Sequence, residues 1–100
     1  MNVNSSNAAF RLVYLAEGEW QNGIPLGLTE SGSPDGRDIP QDTEEIAYRQ
    51  ACDYLDSLTE AEVKRVKWIG VRSYMVDNDG TGESTGRPRL INPETQDWID

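Results

Sequence analysis

The chain has 100 residues, with 18 carboxylates against 9 basic side chains and no histidine, for a formal charge of −9 at pH 7. That length supports one domain with one modest core, and the charge opposes direct binding to nucleic acid or to an anionic membrane. Without histidine the usual general base near neutral pH is missing, and with it the Ser-His-Asp and Cys-His arrangements. The chain therefore reads as non-catalytic.

Residues 1–7 are rich in Asn and Ser and are expected to form a flexible N-terminal arm. From Phe10 to Glu17 the pattern alternates, with Phe10, Leu12 and Tyr14 on one side and Val13 and Leu15 on the other. This predicts a strand that is apolar on both faces. Asn22-Gly23 predicts a tight hairpin turn of type I′, and residues 24–30 a return strand that Pro25 places at an edge. Gly32, Pro34, Gly36 and Pro40 make residues 31–41 a loop.

Asp42 followed by Glu45 has the pattern of a capping box and predicts a helix over residues 43–58. Its apolar stripe is Ala47, Ala51, Tyr54, Leu55 and Leu58. Thr59 and Glu62 repeat the capping pattern and predict a short second helical turn. Residues 66–77 form the clearest strand: Ile69, Val71 and Met75 share one face, and Val66, Trp68, Tyr74 and Val76 the other. Asn78-Asp79-Gly80 is a turn signal, residues 84–91 a weaker strand blunted by Pro88, and residues 92–100 an acidic C-terminal tail.

These elements predict an α+β fold over residues 8–91. It is a single domain in ββ-α-ββ order, with an antiparallel sheet of about four strands and one main amphipathic helix on one face. No apolar stretch approaches the roughly 18 residues of a membrane span. The apolar run at residues 8–16 is broken by Arg11 and follows no basic stretch, unlike a secretion signal. A single cysteine, Cys52, permits no internal disulfide, which fits a reducing compartment. A cytoplasmic protein is the expectation.

Chemistry-bearing motifs are weak. Cys52 sits at the flank of the helical stripe, where a small packing role is the common one. Asp77, Asp79, Thr81 and Gly82 match the start of a calcium-binding EF-hand loop, but the twelfth position is Pro88 where the bidentate Glu belongs. A hairpin turn without a metal explains those residues better, and no calcium site is expected. No glycine-rich stretch is followed by the Lys-Ser or Lys-Thr of a phosphate loop. No cofactor is expected. The basic cluster Lys64, Arg65, Lys67 and Arg72 is split between two strand faces and is expected to neutralise the acidic helix.

Two surfaces remain. Residues 42–62 hold seven acids and one base, and Asp53, Asp56 and Glu60 form an acidic row at helical spacing. The sheet face away from the helix carries Trp68 and Tyr74, which predicts a homodimer or a cover from another chain, the equal alternative being that the 31–41 loop or a terminal arm folds over it. The expected function is an acidic interaction protein, an adaptor or inhibitor that occupies a basic, nucleic-acid-binding surface of a larger protein. The alternatives are a small-ligand domain with a pocket between helix and sheet, lined by Trp20, Tyr54 or Trp68, and a structural subunit of a symmetric oligomer.

Overall fold

In the computed structural model, which describes residues 10–29, 40–77 and 82–99, the two alternating segments pair with each other. Strand β1 (Arg11–Trp20) lies antiparallel to β2 (Val66–Val76), from Arg11↔Val76 to Trp20↔Val66. Strands β3 (Gly82–Ser84) and β4 (Arg89–Ile91) share the other edge of β2. Between β1 and β2 come a 3-10 turn (Gly27–Thr29), helix α1 (Glu44–Asp56) and the short helix α2 (Glu60–Val63). The result is an α+β domain whose four-stranded antiparallel sheet carries the main helix on one face.

The core lies between α1 and the sheet. Ala16 of β1, Val66, Ile69 and Val71 of β2, and Ile91 of β4 meet Ala47, Ala51 and Leu55 of α1. Two alanines on the helix let it approach the sheet closely, and Leu26 and Leu28 fill the space beside it. Leu28, Ile69 and Ile91 are fully buried, each worth about 1.5–3 kcal/mol by transfer from water.

Val66 was expected on the Trp68 face, yet it belongs to this core. The register shifts between Glu19 and Trp20: Glu19 pairs with Trp68 but Trp20 with Val66, leaving Lys67 unpaired. This bulge turns Val66 over to the helix side.

The first hairpin also differs from expectation. Gly23 has φ 86°, Asn22 is not among the positive-φ residues, and the Gly23 N–H donates to Trp20 O at 2.9 Å. That is a three-residue loop closed by a left-handed glycine, not a two-residue type I′ turn. The return segment pairs only briefly: Pro25 bridges Glu19, and the Leu26 N–H donates to Gly18 O at 3.0 Å. It then tightens into the 3-10 turn, whose Gly27 N–H donates to the Tyr54 hydroxyl at 3.2 Å. Strand pairing stops because both Leu26 and Leu28 enter the core. Gly18 has no room for a side chain, since a Cβ there would stand 2.5 Å from Leu26 Cδ1 and from Trp68 O.

Helix α1 starts one residue later than its acidic cap predicts. Thr43 is the N-cap, accepting from the Ile46 N–H at 3.2 Å. Asp42 is instead occupied by Arg11 of β1 at 2.8 Å, and Gln41 exchanges backbone hydrogen bonds with Tyr14 at 2.7 and 2.8 Å. These contacts tie the helix start to the sheet edge. The helix ends at Asp56, short of the predicted residue 58, because Thr59 must be extended to cap α2. There the capping box forms in full: Glu62 N–H to Thr59 Oγ1 at 3.2 Å and Thr59 N–H to Glu62 Oε1 at 2.9 Å.

The predicted strand over residues 84–91 is broken in two. Ser84 pairs with Tyr74 and Arg89 with Val71, so five steps on the outer strand face three on β2. The two extra residues bulge out where Pro88 has no N–H and Gly86 takes φ 150°. The N-terminal arm, most of the loop at residues 31–41 and the turn at Asn78-Asp79-Gly80 lie outside the described residues. β2 and β3 nevertheless pair up to Val76↔Gly82, on either side of that turn.

Residues 92–99 do not behave as a tail. Asn92 Oδ1 accepts from the N–H groups of Glu94 and Thr95, at 2.8 and 3.1 Å. The chain then doubles back, with Ile99 N–H on Leu90 O at 2.8 Å and Trp98 bridging Ile91. The Trp98 ring lies 4.8 Å from Tyr48 of α1, and the Arg89 guanidinium 4.1 Å over it. Tyr48 also donates to Gln96 O at 2.5 Å. We predict that Trp98→Ala destabilises the domain by about 2 kcal/mol in urea denaturation, through lost ring burial and cation–π contact. A free tail would give no change.

Candidate functional site

The acids of residues 42–60 separate into two groups in space. At the start of α1, Glu44 pairs with Arg89 at 3.0 Å, Glu45 with Arg49 at 2.6 Å, and Asp42 with Arg11 at 2.8 Å. At its end, Asp53, Asp56 and Glu60 are exposed and form no ion pair with a described residue. Among the described residues the expected neutralisation of the helix by residues 63–76 makes no ion pair, although Lys64 lines a groove with Asp56 and Glu60. Within that cluster only Arg72 makes an ion pair with a described residue, and its partner is Glu17 on the neighbouring strand. Lys64 caps α2, and Arg65 offers its carbonyl to the Gln21 N–H at 2.8 Å.

Asp53, Asp56 and Glu60 are not on one helix. Asp53 and Asp56 sit in the last turn of α1, and Glu60 opens α2. The kink between them makes a groove of about 370 Å³. Leu55, Leu58, Val63 and Pro93 supply its apolar surface, Asp56, Glu60 and Glu94 its carboxylates and Lys64 one positive charge, while Asp53 stands outside the lining. Glu94 arrives from the folded-back C-terminal segment. Gln96 of the same segment donates to Asp56 Oδ1 at 2.6 Å and braces the wall. Sequence reasoning missed Glu94 and Gln96 because it took residues 92–100 as a tail. The signal was Trp98-Ile99, an apolar pair placed after a turn-forming Asn92-Pro93.

The opposite sheet face holds the second candidate. Val13 and Leu15 of β1 share it with Trp68, Arg72 and Tyr74 of β2, as the register requires. At one end Val13 is 2% exposed. At the other, half-buried Trp68 and Arg72 stand between two surface grooves. Glu17 lies at the centre of this face. It accepts from Arg72 Nε at 2.8 Å and from the Tyr74 hydroxyl, while Arg72 also donates to Gly86 O at 2.9 Å. Burial first, then the Glu17 hydrogen bond, pushes the Tyr74 phenol up to about 12. Thus Tyr74 is fastened within the chain, while Trp68, equally half-buried, lines both surface grooves.

A ligand pocket between helix and sheet is not formed by the three aromatic residues named for it. The Tyr54 hydroxyl accepts from Gly27, Trp20 lines a surface cleft with Ile24, Glu62 and Arg65, and Trp68 is on the other face of the sheet. Burial pushes the Cys52 thiol up, with Asp53 and Asp56 adding to the shift, which disfavours the nucleophilic thiolate. Among the described residues no three His, Cys, Asp or Glu side chains are grouped to hold a metal ion, and no helix is long and apolar enough to cross a membrane. Comparison with known proteins finds no matching family model, no matching curated sequence and no matching solved structure.

The Tyr74 shift has a stability consequence. The folded phenol holds its proton more tightly than the unfolded chain does, so its contribution is whole below pH about 10 and is lost as pH rises through about 12. Alkaline unfolding should therefore steepen across that window. Tyr74→Phe should remove the steepening and cost about 1 kcal/mol near neutral pH, as read by denaturation at each pH.

Proposed function

We propose that the protein is a non-catalytic acidic adaptor or inhibitor whose groove between α1, α2 and the C-terminal segment takes a basic segment of a larger protein. The supporting observation is the placement of the unpaired carboxylates. Asp53 and Asp56 stand in the last turn of α1, at the negative end of the helix dipole, and no basic residue is in that turn. Each such charge costs about 0.3–1 kcal/mol. Elsewhere on the helix the acids are matched by Arg11, Arg49 and Arg89. Retaining unmatched acids where they oppose the fold is explained by a partner that supplies the missing positive charge.

The groove also has the right mixture of surfaces. Its apolar floor of Leu55, Leu58, Val63 and Pro93 suits the aliphatic stem of a lysine or arginine, and the rim suits the charged head. A net charge of −9 steers a basic surface toward the protein and speeds association. A nucleic-acid-binding surface of another protein has that chemistry, and a small acidic domain docked there would block it.

The test uses a peptide alternating lysine and leucine, titrated at low and high salt. The triple change Asp53→Asn, Asp56→Asn and Glu60→Gln should slow association by at least about tenfold and flatten its salt dependence. The same variant should be as stable as the parent or more so, since the helix loses charges that oppose its dipole. Unchanged association and salt response would refute the groove as the binding surface.

A further inference from the structure

We infer that the sheet face around Trp68 is a two-fold interface with a second copy of this chain, closed by two Glu19–Arg87 ion pairs between copies. This surface lies on the other side of the sheet from the acidic groove, and the inference does not depend on the function proposed there.

The argument begins with the shape of the face. Trp68 and Arg72 are four residues apart on β2 and stand as a ridge, with Gly70 between them presenting no side chain. On the β1 side a groove of about 340 Å³ runs along Leu15, Glu17, Glu19 and Pro25. On the side of the outer strands a groove of about 420 Å³ runs along Arg87, Pro88 and Leu90. A ridge flanked by two grooves of similar size is what a second copy of the same surface can fill, ridge into groove.

The charges are complementary in the same sense. Arg72 and Glu17 cancel within the chain. That leaves Glu19 on the first flank and Arg87 on the second, and among the described residues neither has an ion-pair partner. Glu19 is level with Trp68 in the register, and Arg87 falls in the bulge between Ser84, opposite Tyr74, and Arg89, opposite Val71. The two-fold axis that exchanges Glu19 with Arg87 therefore passes close to Gly70. Gly70 itself is buried, with no room for a Cβ beside the Arg89 carbonyl oxygen, so the contact at the axis is made by the flanking Trp68 and Arg72 side chains. One rotation makes both ion pairs, as an isologous contact requires. The outer-strand bulge is the device that brings Arg87 to this flank.

Sedimentation equilibrium at micromolar concentration tests the inference, with circular dichroism confirming the fold of each variant. The wild-type chain is expected to be a dimer. Glu19→Arg alone and Arg87→Glu alone each place like charges opposite one another twice, and should weaken the dimer at least tenfold. An equimolar mixture of the two variants restores both ion pairs in the heterodimer, so dimer should reappear on mixing. A strictly monomeric wild-type chain overturns the inference, as does a dimer that either reversal leaves intact. Two folded variants that remain monomeric when mixed would also overturn it.

Discussion

The β1–β2 ladder is the constraint on which the rest of this structure depends. β2 is hydrogen-bonded on both edges, to β1 along one and to β3 and β4 along the other. It also carries large side chains toward both faces of the sheet. Helix α1 covers one face with Ala47, Ala51 and Leu55. A second face with Val13, Leu15, Trp68 and Tyr74 follows directly from pairing two segments that are both apolar on alternate positions. That face is held in place by Glu17, which joins β1 to β2 through Arg72 and Tyr74. A half-buried pair of this kind fixes register, because a one-residue slip would turn Glu17 toward the helix and away from Arg72.

Charge is distributed by the same scaffold. The ladder puts Arg11 beside the start of α1, and β4 puts Arg89 there, so the N-terminal acids of the helix are neutralised by the sheet. Among the described residues no base forms an ion pair with the acids in the last turn of α1. The acidic groove and the Trp68 face are on opposite sides of the sheet, so occupation of one leaves the other accessible. A dimer through the Trp68 face would present two acidic grooves outward, and a partner with two basic segments would then gain from both at once.

Much of this was legible in the sequence, and what was not has physical causes. Alternation located β1 and β2, and helical spacing located α1 with its buried stripe. Thr59 and Glu62 announced their capping box. Val66 was placed on the wrong face because a bulge changes the period of two by one residue, and periodicity cannot show that. Asp42 and Thr43 are both residue types that cap helices, and the local sequence does not show the distant Arg11 that holds Asp42 and leaves the cap to Thr43. The return strand after Gly23 failed because Leu26 and Leu28 are drawn into a core that the local pattern does not reveal. The acidic row of Asp53, Asp56 and Glu60 was visible, but the groove was not. Its other wall comes from Pro93, Glu94 and Gln96, some 40 residues away by the Gln96–Asp56 contact.

Amide hydrogen exchange tests the central role of the ladder most directly. Amides that link β1 to β2, such as those of Arg72 and Val13, should exchange only through global unfolding, and the Asn92 and Ile99 amides should share that protection because β4 docks them onto β2. The account is contradicted if residues 92–99 exchange as a free chain, or if β1 opens while α1 remains protected.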